Sequence, residues 1–193
     1  MESAQQGSTR LKNFILASLF AALTAAGAFI RIPIAYVPIT LQTFSVLLAG
    51  SVLGAKYGAL SQVIYLAVGL LGAPIFSQGG GPGYVLQPTF GYLLGYPIAA
   101  FAIGRWLWGR NSRPSSTSPS FVKTCLVMSV GVLLIFIPGV TGLYLNLNYV
   151  AGKPIALSRA VWVGFLVFVP GDIIKITVSA WATVKLSKIL PAD

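Results

Sequence analysis

Residues 57–104 read YGALSQVIYLAVGLLGAPIFSQGGGPGYVLQPTFGYLLGYPIAAFAIG, and not one of them is charged. A buried helix of a soluble protein is about ten to fourteen residues long and is soon followed by charged surface. This run is long enough for two membrane-spanning helices and the loop between them. Outward from it the pattern repeats. Phe14 to Ile30, Ile32 to Ala55 and Thr124 to Gly152 are also free of charge. The chain of 193 residues is 56% hydrophobic and only 8% charged. It cannot build the polar shell of a soluble domain, so its apolar surface must face lipid.

The gaps between the apolar runs give the organisation. Residues 1–10 are polar and small and read as a disordered tail. Residues 11–190 read as a single six-helix membrane domain, an all-α integral membrane protein. The first helix is expected over 11–30, the second over 40–53 and the third over 59–71. A tight turn around Lys56 joins the second and third. The fourth is expected over 89–108, the fifth over 121–145 with a kink or break at Pro138-Gly139, and the sixth over 170–189. The apolar stretch 155–169 fits a short surface helix. The polar, serine-rich stretch 109–120 is the one soluble-looking linker. Small residues at 26–28 resemble a signal-peptide cleavage site, but the apolar run is long for a signal core, so the segment reads as a retained helix.

Six crossings put both termini on one side. Arg10, Lys12, Lys56, Arg105, Arg110, Arg113, Lys123, Lys185 and Lys188 then share that side, against Arg31, Lys153 and Arg159 on the other. That bias places the termini in the cytoplasm. The formal charge of +10 does not indicate nucleic acid, because the cations sit in short gaps between apolar runs rather than on one polar face.

The chemistry is sparse. There is no histidine, and Cys125 is the only cysteine. An internal disulfide, a metal site and the commonest general base are all excluded. The acids are Glu2, Asp172 and Asp193. Asp172 alone lies inside the hydrophobic body, with Lys175 one helical turn later on the same face. The pair is either a structural brace of the last helix or the lining of a polar pocket. An intramembrane charge reads as functional by default. Gln42, Thr43, Gln78, Gln87 and Tyr92 are uncharged hydrogen-bonders near the outward helix ends, and Tyr84 sits in an outward loop. The glycines at 79, 80, 81 and 83 match neither the dinucleotide fingerprint nor the Walker pattern. They form a flexible loop or let the backbone approach a ligand, Gly79 and Gly80 included. Ala17, Ala21 and Ala25, with Ser18, Ala22 and Ala26 beside them, make a flat stripe for close helix packing. The neighbour is another helix of this chain or a partner membrane protein.

Four motifs in order resemble the BioY family: VPITLQTF at 37–44 with LLAG at 47–50, GAPIF at 72–76 with its glycine run, GYLLGYP at 91–97, and FVPGDIIK at 168–175. The resemblance covers residues 13–188. It implies the substrate-binding S component of a prokaryotic energy-coupling-factor transporter for biotin, in the cytoplasmic membrane, with the site near the outer face under the first and third outward loops. It implies that Asp172 and Lys175 contact biotin, the transported ligand, and that no cofactor is needed. It implies that the alanine stripe docks on a transmembrane coupling protein carrying two ATPase subunits, although some members work without a dedicated energy module. Family members carry an asparagine in the glycine loop and in some cases an arginine after the Gly-Tyr of helix 4. Here Gln78 and glycines occupy the loop, and Leu93 follows Tyr92. Lys175 or loop N–H groups are then the candidates for the ligand's carboxylate. Other readings are an S component for another vitamin or heterocycle, a proton-coupled secondary transporter, and a lipid-modifying enzyme. The last lacks a nucleophile–base pair.

Overall fold

The computed structural model describes residues 2–34, 36–109 and 119–189. Its helices are α1 (Glu2–Phe29), α2 (Gln42–Leu70), α3 (Phe90–Trp108), α4 (Phe121–Leu145), α5 (Leu157–Gly164) and α6 (Val169–Ile189). The two short strands β1 (Arg31–Ile32) and β2 (Ile39–Thr40) pair antiparallel between α1 and α2. Among the described residues, four segments are long and apolar enough to cross a membrane: Gly7–Phe29, Gln42–Leu70, Phe121–Val150 and Leu157–Lys188.

α2 is not one rod. Gly54 has φ 76° and ψ −178°, which breaks the helix into arms 42–53 and 55–70. In a straight helix Gln42 and Tyr65 would be about 35 Å apart at 1.5 Å per residue. Instead, Gln42 Nε2 donates to Tyr65 Oη at 2.6 Å. The arms therefore fold back on each other as a hairpin, at the turn that the Gly54–Gly58 stretch and Lys56 predict. A positive φ costs a residue with a Cβ about 1–2 kcal/mol, so glycine suits that corner.

The helices form a closed packing. α1 packs on α2, α2 on α3, α3 on α4, and α6 on both α2 and α4. Small residues allow the close approaches. A Cβ on Gly95 of α3 would lie 2.6 Å from the Ile135 Cα of α4. Polar side chains knit the rods where lipid offers no partner. Gln62 bonds Thr24 of α1 at 3.3 Å, and Trp108 Nε1 donates to the Ser51 carbonyl at 2.7 Å. Ser51 Oγ also lies 2.8 Å from Thr183 Oγ1 of α6. The outer surface carries a dense set of exposed large apolar side chains, among them Phe14, Leu19, Phe101, Leu126, Ile137 and Ile174. Such a surface suits hydrocarbon, not water.

Three expectations change. α1 begins at Glu2, so the tail expected up to residue 10 is helical from there. Ala, Gln and Glu are good helix formers, and extending an existing helix costs little once it is nucleated. α4 runs through Pro138 unbroken. Packed neighbours in a membrane bundle tolerate such a proline. Ala17 and Ala21 are buried within the chain, while Ser18, Ala22 and Ala26 are exposed. The stripe at 17, 21 and 25 is therefore the internal face of α1, and the open small-residue stripe is the adjacent one. Most of the linker expected at 109–120 lies outside the described residues.

Candidate functional site

A hollow of about 450 Å³, including the open solvent at its mouth, lies at the end of the bundle where the 30–41 loop crosses it. Its roof is Val37, Pro38 and Thr40 from that loop, and its sides are Gln42 and Thr43 at the start of α2. Ser77 and Thr89 come from the loop between α2 and α3, and Tyr92, Leu93 and Tyr96 from α3. Ile135 and Phe136 of α4 and Phe168, just before α6, close the apolar wall, and Lys175 supplies the only charged lining group among the described residues.

The wall is aromatic and fixed. Tyr92 meets Phe136 edge to face with ring centres 5.7 Å apart, and Phe168 lies 5.6 Å from Phe136. Tyr92 Oη donates to the Gly164 carbonyl at 2.7 Å, which ties α3 to the end of α5. Gln42 is held at both ends of its amide. Its Nε2 donates to Tyr65, its Oε1 accepts from Thr40 Oγ1 at 3.0 Å, and Tyr65 Oη donates to the Ile75 carbonyl at 3.2 Å. Thr43 and Tyr96 also line the cavity, and neither hydroxyl has a hydrogen bond to another described residue.

Asp172 and Lys175 sit on the first turns of α6. Lys175 Nζ donates to Asp172 Oδ1 at 3.0 Å, and the two residues are only 4% and 8% exposed, Asp172 being the lower. Asp172 Oδ2 is buried and has no hydrogen-bond partner among the described residues. Lys175 lines the cavity, whereas Asp172 stands behind it and borders a separate cleft between α4 and α6 with Val132 and Phe165. A buried carboxylate with one bare oxygen is an acceptor in search of a donor.

The other sequence candidates divide. Gln42, Thr43 and Tyr92 join Lys175 on the cavity wall. Tyr84 stands behind it, with its hydroxyl 2.9 Å from Thr89 Oγ1 and its ring against Phe76. Gln78 borders an adjoining hollow with Arg31. Gly79 and Gly80 shape the loop that carries Ser77: the Gly79 N–H donates to the Phe76 carbonyl at 3.2 Å, and Gly80 packs on Ala73. Gln87 is exposed and borders a separate groove between α3 and α4 with Phe90, Pro138 and Tyr149. Tyr96, Phe136 and Phe168 are wall residues beyond those the sequence singles out. A signal was present for two of them. Tyr96 is four residues after Tyr92, and Phe168 precedes Asp172 by four and Lys175 by seven, which is one helix face.

The BioY family model matches residues 1–192. A probable biotin transporter BioY of Lysinibacillus sphaericus is 40% identical over 177 residues, covering 92% of this chain and 87% of that protein. The biotin transporter BioY of Thermotoga maritima is 33% identical over 180 residues, covering 93% and 98%. A crystal structure of the S-component for biotin from an ECF-type ABC transporter superposes with a TM-score of 0.80 at 28% identity, covering 94% of this chain and 93% of that one. With its helices able to span a membrane several times, this chain is a multi-pass membrane protein, and it belongs to the BioY family.

Proposed function

We propose that this chain binds biotin near the outer face of a prokaryotic cytoplasmic membrane and supplies it for uptake as the substrate-specific component of an energy-coupling-factor transporter. The observation that carries the reading is Lys175 on the wall of an aromatic cavity, paired with a buried Asp172 whose Oδ2 has no partner among the described residues. A biotin ureido group offers two N–H donors and one carbonyl. The carboxylate accepts from the donors and the ammonium donates to the carbonyl, so each buried charge gains a partner that water would otherwise supply. Tyr92, Phe136 and Phe168 give the apolar rings a dry wall. Nothing in this arrangement performs chemistry on the guest; the chain is a carrier.

The two arms of α2 allow six crossings in all, with both termini in the cytoplasm. The nine-to-three distribution of cations supports that orientation. On α1 the exposed stripe Ser18, Ala22 and Ala26 is the face for a transmembrane coupling protein, which would carry two ATPase subunits.

The test is a biotin titration of the purified protein and of Asp172→Asn. The variant is expected to bind about a hundredfold more weakly, because a charged acceptor is lost from a dry site. Unchanged affinity would remove Asp172 from the site and the reading with it.

A further inference from the structure

We infer that Arg31, with Gln78 beside it, forms a mouth subsite that takes the carboxylate of the ligand. The inference rests on the biotin reading and adds the group that holds the acidic end. Next to the main cavity is a second hollow of about 650 Å³, open to solvent, bordered by Arg31, Pro33, Ile34, Pro38 and Gln78. Pro38 is a wall of both hollows. Ser77 of the first and Gln78 of the second are successive residues. The two spaces therefore abut along the roof loop, and together they lead from Lys175 to Arg31.

The charges along this path are unequal. At the inner end Lys175 is already matched by Asp172 at 3.0 Å. A second carboxylate there would compete for the one ammonium and leave Asp172 short. The middle is apolar and aromatic, with Tyr92, Phe136 and Phe168. At the mouth Arg31 has no carboxylate of this chain to pair with among the described side chains. The chain's acids are Glu2, Asp172 and Asp193. Asp172 is engaged by Lys175, and Glu2 is at the opposite end of α1 from Arg31. Asp193 lies outside the described residues. A guanidinium presents a planar fork of donors that fits a carboxylate in two parallel hydrogen bonds, and the Gln78 amide adds a further donor. The path thus suits a guest with a neutral hydrogen-bonding head, an apolar middle and an anionic tail.

The experiment titrates the purified wild type and Arg31→Gln with biotin and with its uncharged carboxamide, at low and high salt. The wild type is expected to prefer biotin by roughly three- to tenfold, an advantage suited to an exposed charge pair and reduced by salt. Arg31→Gln is expected to bind both ligands alike, at the level of the wild type with the carboxamide, and Arg31→Lys to restore part of the preference. A wild type that binds the two ligands equally, or an Arg31→Gln variant that keeps the full preference, overturns the subsite and leaves the biotin reading standing. Failure of the wild type to bind either ligand overturns both.

Discussion

Lys175 Nζ lies 3.0 Å from Asp172 Oδ1, and Asp172 Oδ2, on the same buried carboxylate, has no partner among the described residues. The pair is satisfied on one side only. Two charges taken out of water need complete hydrogen bonding to recover their desolvation, and here one acceptor is left over for a guest. Stability and binding should therefore separate on mutation. Lys175→Met leaves a buried carboxylate uncompensated and is expected to cost about 3–5 kcal/mol. The double variant Asp172→Asn/Lys175→Met removes both charges and is expected to recover most of that stability while still failing to bind biotin. Thermal unfolding in detergent, followed by titration, reads both effects. Recovery of binding in the double variant would contradict the assignment.

Tyr92 and Tyr96 face the same cavity with different duties. Tyr92 Oη is committed to the Gly164 carbonyl at 2.7 Å, whereas the Tyr96 hydroxyl has no described partner. Tyr92→Phe leaves a buried carbonyl unpaired and is expected to lower stability by about 1–3 kcal/mol. Tyr96→Phe is expected to shift stability by less than about 0.5 kcal/mol. Its effect, if the hydroxyl touches the ligand, falls on affinity. Melting temperatures of the two variants side by side check the contrast, and equal losses would refute it.

Gly54 makes the corner of the α2 hairpin at φ 76°. Gly54→Ala is expected to destabilise the protein by about 1–2 kcal/mol from the left-handed backbone alone. Because the corner is at the opposite end of the hairpin from Gln42, the fraction that folds should bind biotin with unchanged affinity. A variant as stable as the wild type would mean that the chain turns elsewhere.

The two faces of α1 offer a further separation. Ala17 is fully buried, so Ala17→Leu overpacks the contact with α2 and is expected to cost about 1–3 kcal/mol. Ala22 is exposed. Ala22→Leu is expected to leave folding and biotin binding intact and to prevent co-purification with a transmembrane coupling protein. Normal co-purification of that variant would exclude the exposed stripe as the docking face.

The helices were legible because lipid imposes a crude rule: long uncharged runs punctuated by Pro, Gly and cations. The Gly54 corner, the short helix after residue 155 and the Asp172–Lys175 turn all followed from local spacing. What escaped the sequence was long-range. Ala17 and Ser18 are both small and adjacent, and only the position of α2 decides which of them is covered. Phe136 sits in an apolar run like any other, and nothing local marks it as cavity wall. Gln87 has the same side chain as Gln42, yet it follows a 3₁₀ turn (Pro82–Leu86) that carries it to the outer groove. The start of α1 differs from expectation for the opposite reason: polar composition suggests disorder, although Glu2, Ala4, Gln5 and Gln6 favour helix.

The most direct measurement is an equilibrium titration of the purified protein with biotin and with biotin whose two ureido nitrogens are methylated. Removing the N–H donors takes away what Asp172 is there to accept, and the methylated ligand is expected to bind at least about a hundredfold more weakly. Equal affinity for the two ligands would show that the buried carboxylate does not grip the ureido group.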